Sequence, residues 1–335
     1  MVVTAYETPT IVGFSYSFTR CRSILSLKKE RLRFCIYFLL TAENIAPGFG
    51  RSRSLGLLFP ICGNLPAYLL LCWHMNEPIP KKALGQHWLT DEASLEAMCE
   101  TAEAGAEDTV LEIGPGLGTL TELLVNQVKQ VVAVEFDRQL ASELPGRVQA
   151  ANLEVITQDI LSFDFTGLPP DYKVVANIPY YLTSNLIRVL SETPNRPTVA
   201  VLLVQKEVAQ RVAAAPGDMS VLSVTAQYYW DVGTGYDVPA ELFTPPPKVD
   251  SQILILQRRD TELFPGTDTK TFFRLVKAGF SERRKKLRSS LSGGLHISKV
   301  EAEVLLTGAG IDSDLRAQAL SLKDWHALYK TYGRG

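Results

Sequence analysis

The sequence predicts an α/β protein whose doubly wound, parallel sheet is followed by a smaller all-helical domain. Short apolar runs alternate with helical stretches from Thr109 onward, and the strand pattern stops beyond Thr267. Such alternation produces a parallel sheet with helices on both faces. We place the boundary between the two domains near residue 264, which gives domains of 75–264 and 265–335.

The individual elements follow from the hydrophobic periodicity of each segment. Strands are predicted over residues 110–113, 131–134, 153–157, 174–176, 199–204, 228–238 and 252–257. Helices are predicted over residues 117–125, 137–144, 183–190, 272–291 and 299–306.

Residues 1–74 do not share this pattern. They carry eight Lys/Arg against three Asp/Glu, a charge of +5, and four of the five cysteines. Segment 55–73 has no charged residue and is long enough to raise the question of a membrane span, but Pro60 and Pro66 weaken a helix there. A basic, acid-poor leader is also typical of a transit peptide. Because a coherent pattern begins at Met75, we expect 1–74 to be an extension outside the fold and the catalytic body to have no membrane association.

The charge of the remaining chain bears on its partners. Residues 75–335 hold 26 Lys/Arg and 33 Asp/Glu, a net charge of −7. Phosphate binding needs cations close to the nucleic-acid strand. A nucleic-acid enzyme with a negative net charge must therefore concentrate its positive charge in a local patch. The cysteines show no close spacing such as C-x-x-C, which indicates a reduced, cytoplasmic protein without zinc or disulfides.

The glycine loop indicates a nucleoside cofactor. Gly114, Gly116 and Gly118 follow the first strand and open the first helix, where glycine lets the backbone approach a ligand closely. A dinucleotide-binding fingerprint would have its third glycine or alanine at position 119, which is Thr119. The spacing therefore favours S-adenosylmethionine over NAD, although a tight turn without a ligand remains an alternative for the loop alone.

Two carboxylates strengthen this interpretation. Glu135 ends the second strand, 21 residues after Gly114, where a carboxylate can accept both ribose hydroxyls. Asp159 follows the third strand and is placed to meet the adenine amine of a nucleoside. Together with the loop they predict a class I, Rossmann-like methyltransferase that uses S-adenosylmethionine.

The tetrapeptide Asn177-Ile178-Pro179-Tyr180 ends the fourth strand and suggests the methyl acceptor. An adenine amine is a poor nucleophile because its lone pair is delocalised into the ring. The side-chain oxygen of Asn177 and the carbonyl oxygen of Ile178 can accept hydrogen bonds from its two N–H groups. Pro179 restricts the backbone conformation of Ile178. Tyr180 offers a ring on which a flipped base can stack.

These residues resemble the small-subunit ribosomal RNA adenine dimethyltransferases of the bacterial KsgA type, over about 81–332. Segment 81–89, Lys-Lys-Ala-Leu-Gly-Gln-His-Trp-Leu, looks like the motif of that family that closes over the cofactor. The resemblance implies that His87 and Leu89 line the cofactor site, and Trp88 stands where the family usually has Phe. It also assigns the cofactor to Gly114, Glu135, Asp159 and Asn177.

Two further segments resemble motifs of this family. Phe243 begins the run Phe-Thr-Pro-Pro-Pro-Lys-Val-Asp-Ser, which implies that its ring packs on the target base opposite Tyr180. Segment 283–288, Arg-Arg-Lys-Lys-Leu-Arg, is similar to a basic helical motif and supplies the missing positive patch. The RNA-binding residues implied are Arg283, Arg284, Lys285, Lys286 and Arg288.

The resemblance implies a monomeric enzyme without a metal. It would transfer methyl groups from S-adenosylmethionine to N6 of two adjacent adenines near the 3′ end of 16S rRNA in the small ribosomal subunit. Three alternatives stay open: a large-subunit rRNA adenine methyltransferase of the macrolide-resistance type, a non-catalytic RNA-binding assembly or transcription factor, and an NAD oxidoreductase.

Overall fold

The computed structural model describes residues 78, 80–81 and 84–333, so every prediction made for 1–74 lies outside the described residues. The strands are β1 (Trp88–Leu89), β2 (Thr109–Ile113), β3 (Gln130–Glu135), β4 (Leu153–Thr157), β5 (Lys173–Asn177), β6 (Val199–Gln205), β7 (Trp230–Val238), β8 (Phe243–Thr244) and β9 (Ser251–Arg258). The helices are α1 (Glu92–Thr101), α2 (Thr119–Leu124), α3 (Arg138–Arg147), α4 (Thr183–Glu192), α5 (Lys206–Val212), α6 (Val221–Tyr229), α7 (Thr269–Gly279), α8 (Leu287–Leu295), α9 (Lys299–Gly308) and α10 (Leu322–Tyr332).

Seven strands form the central sheet, in the order β4-β3-β2-β5-β6-β9-β7. The first five strands in this order pair in parallel, whereas β9 is antiparallel to both β6 and β7. The doubly wound, Rossmann-like fold predicted from the alternation is confirmed, with an antiparallel pair added at one edge. Parallel strands bring their carboxyl ends to one edge of the sheet, which is where ligands bind in such folds.

Both faces of the sheet are buried because successive strand residues point in opposite directions. In β2, Leu111 packs into a core that also holds Leu186 of α4, and neighbouring Val110 packs into a second core with Met98 of α1. All four side chains are fully buried. Strands covered on both faces read as continuous apolar runs, which is the pattern seen in the sequence.

The predicted helix over 272–291 is wrong, because the chain forms two helices there. Helix α7 ends at Gly279, where a Cβ would lie 2.4 Å from the ring of Trp325, and α8 begins only at Leu287. The backbone N–H of Leu287 donates to the carbonyl of Leu315 at 2.7 Å. Arg and Lys favour helices, so packing between distant segments, rather than local propensity, interrupts the helix here.

Boundaries of other elements also differ from the prediction, for example at α6 and α2. Residues 228–229, predicted as the start of a strand, end helix α6 instead. Helix α2 spans only Thr119–Leu124 of the predicted 117–125, because Gly118 adopts a left-handed conformation before it. Neither change alters the sheet order.

The C-terminal helices have a core of their own. Phe272, Leu291 and Trp325 are fully buried in it, together with Val224 and Tyr228 from α6. The helical region therefore packs directly against a helix of the sheet region. No helix in the described part of the chain is long and apolar enough to cross a membrane.

Candidate active site

A cavity opens at the carboxyl ends of β2, β3 and β5, where the fold predicts a ligand site. The glycine loop, the ends of β3 and β5, and the segment around β1 surround it. Its lining comprises residues 84–89, 95, 112, 114–117, 119–120, 135–136, 177–181 and Phe243.

The glycine loop forms the floor of this cavity. Gly114, Gly116 and Gly118 have φ angles of 68°, 57° and 88°, a region that glycine enters without steric cost. A Cβ at Gly114 would meet nothing within 4 Å, and one at Gly116 would lie 3.5 Å from the ring of Trp88. At Gly118 a Cβ would lie only 2.7 Å from Leu144. Gly114 therefore leaves room for a ligand, Gly116 lies against Trp88, and Gly118 permits α2 to pack on α3.

Glu135 connects the end of β3 to the glycine loop. Its carboxylate accepts hydrogen bonds from the backbone N–H of Gly116 at 3.1 Å and of Asp137 at 2.8 Å. Burial raises the pKa of Glu135, and these backbone donors oppose that rise. Two backbone donors therefore fix the carboxylate at the cavity wall.

Glu112 is a site residue that sequence reasoning did not single out. It is 1% exposed, and its Oε2 atom has no hydrogen-bond partner within the described residues. Burial raises the pKa of Glu112 to about 8. A carboxyl group this deeply buried is expected to meet a cation or stay protonated. A charged residue inside the apolar run 110–113 was the signal that could have revealed it.

Asn177 and Ile178 line the cavity, and each carries an acceptor oxygen without a donor among the described residues. The amide nitrogen of Asn177 donates to the backbone carbonyl of His87 at 3.5 Å, which turns the side-chain oxygen away from that carbonyl. Among the described residues no donor reaches this oxygen or the carbonyl oxygen of Ile178. Two acceptors on adjacent residues match the two N–H groups of an amine.

Aromatic and imidazole rings form the wall beside these acceptors. The hydroxyl of Tyr180 is hydrogen-bonded to Ser251 at 2.7 Å, and its ring stacks on His87 with centroids 6.0 Å apart. Because a carbonyl only accepts, Nδ1 of His87 must donate to the carbonyl of Pro245, at 2.7 Å. Phe243 also lines the wall but is 3% exposed, so only a small part of its ring faces the cavity.

The strap, residues 84–89, closes one side of the cavity. Its strand β1 pairs with β8, placing Leu89 opposite Phe243. The carbonyl of Leu89 accepts from the hydroxyl of Thr119 at 3.0 Å. Just before the strap, the ammonium of Lys81 lies 2.7 Å from Asp137. The strap is therefore anchored to α2 and to β8, and the residue Lys81 before it to Asp137.

One predicted cofactor residue does not line this cavity. Asp159 is exposed, and its carboxylate accepts the backbone N–H of Leu161 at 3.0 Å, which caps a short 3₁₀ turn. The other predicted cofactor and catalytic residues all line the cavity. Within residues 78–333 that are described, no group of three or more His, Cys, Asp or Glu side chains is arranged to hold a metal ion.

A family model described as ribosomal RNA adenine dimethylase matches residues 80–333, which include the whole cavity. The chain belongs to this family. The match covers both the sheet region and the C-terminal helices, and it confirms the family resemblance seen in the motifs.

Individual relatives agree with this assignment. The chain is 40% identical over 256 residues to a ribosomal RNA small subunit methyltransferase A from Dehalococcoides mccartyi, covering 75% of this chain and 88% of that protein. It is 40% identical over 272 residues to the enzyme of that name from Synechocystis, covering 74% and 95%.

Two solved structures are similar to this chain. A dimethyladenosine transferase from Plasmodium falciparum has a TM-score of 0.64 at 26% identity, covering 74% of this chain and 98% of that chain. The 23S rRNA methyltransferase ErmE has a TM-score of 0.60 at 28% identity, covering 73% and 98%. Because both types share the fold, the curated sequence relatives rather than the fold distinguish small-subunit from large-subunit enzymes.

For an adenine dimethylase of ribosomal RNA, the basic run over 283–288 is of direct interest. The structure corrects its predicted location, because all but its last two residues lie in the exposed turn between α7 and α8. We call residues 283–288 the basic turn. It contains the five predicted RNA-binding residues Arg283, Arg284, Lys285, Lys286 and Arg288.

The five cations of the basic turn are not equivalent. Lys286 forms a salt bridge with Asp314 at 2.8 Å, and Arg288 forms one with Glu303 at 3.0 Å. The three cations at 283–285 form no salt bridge with any described residue. Within the basic turn, only these three cations therefore have no carboxylate partner among the described residues.

Two exposed aromatic residues at the cavity mouth were also missed by sequence reasoning. Phe136 is 60% exposed and Tyr181 is 64% exposed, and both line the cavity. Each directly follows a predicted site residue in the chain, Glu135 or Tyr180. Their position next to those residues was the available signal.

Proposed function

We propose that this chain transfers methyl groups from S-adenosylmethionine to N6 of two adjacent adenines near the 3′ end of 16S rRNA in the small ribosomal subunit. The observation that carries the proposal is the pair of acceptors without donors at Asn177 and Ile178, beside the ring of Tyr180. Membership of the adenine dimethylase family and the names of the curated relatives support the substrate.

The cavity fits S-adenosylmethionine. The space beyond the Cα of Gly114 admits a ligand against the backbone, and Glu135 is fixed where it can accept ribose hydroxyls. The partnerless carboxyl oxygen of Glu112 suits the cationic amino group of the methionyl part. His87 and Leu89 close the site from the strap. When bound, the cofactor supplies an electrophilic methyl group on its sulfonium.

The predicted contact of Asp159 with the adenine of the cofactor has less support. The residue lies outside the cavity lining, and its carboxylate already caps a turn. Its assignment rests on its position after the third strand and on the family resemblance.

The residues at the end of β5 prepare the amine for attack. Asn177 and Ile178 accept hydrogen bonds from its two N–H groups, which favours a pyramidal nitrogen whose lone pair is free to react. As the nitrogen gains the methyl group, the carbon–sulfur bond of the donor would break, S-adenosylhomocysteine would leave, and the nitrogen would release one N–H proton to solvent. The second transfer would use the remaining N–H group in the same way. Burial raises the pKa of Tyr180, so its hydroxyl stays protonated and bonded to Ser251 while the ring supports the base. Positioning and electrostatics carry the transfer, and no protein nucleophile is needed.

The basic turn supplies the RNA contact that the acidic body otherwise lacks. We assign substrate binding to the helical region 265–335 and catalysis to 75–264. An enzyme with this substrate acts where ribosomal subunits mature, and we propose a cytoplasmic monomer that binds the small subunit.

The decisive experiment incubates the protein with labelled S-adenosylmethionine and undermethylated small ribosomal subunits, then maps the product. We expect N6,N6-dimethyladenosine at two adjacent adenines near the 3′ end of 16S rRNA. Label found only in large subunits would instead identify the macrolide-resistance type. Binding of small subunits without any turnover would identify a non-catalytic assembly factor.

A further inference from the structure

Tyr181 is an aromatic residue at the cavity mouth that the proposed chemistry leaves without a role. Its side chain is 64% exposed, although the residue lines the cavity. One edge of the ring lies over Gly85 of the strap, where a Cβ would be 3.4 Å from the Tyr181 Cδ1 atom. An aromatic ring left this open beside a binding cavity is a surface on which a ligand can pack.

Tyr180 and Tyr181 are consecutive in one 3₁₀ turn, Tyr180–Leu182, but their side chains have different surroundings. The hydroxyl of Tyr180 is fixed by Ser251 inside the cavity. The hydroxyl of Tyr181 has no hydrogen-bond partner among the described residues, and its ring borders the mouth on the side of the strap. Successive residues of a 3₁₀ turn point about 120° apart, so the two rings serve different positions.

We propose that Tyr181 stacks on the nucleobase next to the adenine that enters the cavity. This inference rests on the proposed function, which requires two adjacent adenines. When one base leaves the RNA stack and packs on Tyr180, its neighbour loses a stacking partner at the mouth. The exposed ring of Tyr181 replaces that partner. The residue thus positions the RNA strand rather than taking part in the methyl transfer.

A different role for Tyr181 would be to support the strap through its contact with Gly85. That role predicts weaker cofactor binding when the ring is removed, because the strap borders the cofactor side of the cavity. The stacking role predicts weaker RNA binding and unchanged cofactor binding. The two roles are therefore separable by measurement.

The test compares Tyr181→Ala and Tyr181→Phe with wild type, using undermethylated small subunits as substrate. For Tyr181→Ala we expect KM for the particle to rise about tenfold, the size of one lost base–aromatic stack, with kcat within about twofold. The dissociation constant for S-adenosylhomocysteine should stay unchanged. Tyr181→Phe keeps the ring and should restore KM.

The matched control is Tyr236→Ala. Tyr236 is 60% exposed but lies on β7, outside the cavity lining, so its loss should leave KM unchanged. An unchanged KM in Tyr181→Ala, or weaker cofactor binding as the main effect, would overturn the inference while leaving the wild-type reaction intact. Failure of the wild type to dimethylate the particles would instead overturn the proposed function.

Discussion

The cavity and the basic turn use charged and polar side chains in opposite ways. In the cavity, Glu112 and Glu135 are buried beside the glycine loop. In the basic turn four of the five cations are exposed, and two of the five are neutralised by carboxylates from distant helices or loops. Burial strengthens the electrostatic interactions of each polar atom in the cavity, whereas solvent and salt screen the interactions of each cation in the turn.

This contrast predicts where single substitutions have large effects. A polar atom in the cavity has few possible hydrogen-bond partners, so removing it should strongly reduce the rate of the reaction. In the basic turn, several neighbouring cations contribute to phosphate binding, so the loss of one should have a small effect. Loss of one cavity residue should therefore act on the reaction itself, and loss of turn residues should act on RNA affinity.

The largest effect is expected at Asn177. Asn177→Ala removes one of the two acceptors for the adenine amine, and we expect the single-turnover rate of methyl transfer to fall about 100-fold or more. Affinity for the small subunit should stay within about twofold, because the basic turn is unchanged. Asn126→Ala, at an exposed position outside the cavity, is the matched control and should retain the wild-type rate. Equal loss in both variants would place Asn177 outside the reaction.

A smaller effect should separate the two kinds of cation in the basic turn. Arg284→Ala with Lys285→Ala removes two cations that have no salt bridge with a described residue. Lys286→Ala with Arg288→Ala removes two that are already paired. The measurement is a plot of log affinity for the small subunit against log salt concentration, whose slope is negative. The magnitude of this slope should decrease by about 2 for the first double variant and by less than about 1 for the second. Equal slopes for the two variants would show that the salt bridges do not limit phosphate binding.

The same contrast explains what could be predicted from sequence. Residues at strand ends converge on one edge of a parallel sheet, so the sequence alone was enough to assign Gly114, Glu135 and Asn177 to one site. The fold class followed from strand–helix alternation for the same reason. These inferences depend on local periodicity and on a topology that leaves little choice.

The predictions that failed concern features that depend on contacts between residues far apart in the sequence. The break in the predicted helix 272–291 depends on packing against Trp325 and on the bond between Leu287 and Leu315, which lie far apart in the sequence. The neutralised charge of Lys286 likewise depends on a carboxylate 28 positions away, at Asp314. Local propensity carries no information about such contacts, because tertiary packing overrides it.

A third prediction tests the buried carboxyl group of Glu112 through pH. Its pKa is raised to about 8 in the fold, against an ordinary value of 4.5. Between these values the folded protein holds a proton that the unfolded chain has lost, so stability falls as pH rises through this window. Relative to Glu112→Gln, the wild-type Tm should therefore fall by at least about 2 °C between pH 5 and pH 8.

The Glu112→Gln variant is its own control, since the other titrating groups are common to both proteins. Saturating S-adenosylmethionine should reduce the wild-type decline, because a cation beside the carboxylate favours its charged form. Parallel melting curves for the two proteins at every pH would mean that Glu112 is ionised in the ligand-free fold.

The smallest effect concerns Lys81, whose salt bridge has one exposed and one buried partner: the side chains of Lys81 and Asp137 are 49% and 6% exposed. Burial alone would raise the pKa of Asp137, but the Lys81 ammonium and the backbone N–H of Gln139 lower it. Lys81→Met should reduce the free energy of unfolding by about 1 kcal/mol at most, since solvent screens the ammonium. Urea titration at neutral pH measures this loss.

The matched control is Arg188→Met, because the Arg188–Glu192 pair is 54% and 55% exposed and should contribute about 0.3 kcal/mol. The Lys81 contribution should be present above the ordinary pKa of Asp137 and disappear as pH falls through the lowered value. If both variants lost the same free energy at neutral pH, burial of Asp137 would add nothing to its salt bridge. The contrast between the polar groups of the cavity and the exposed cations would then hold for Glu112 and Asn177 but would not extend to the rim of the cavity.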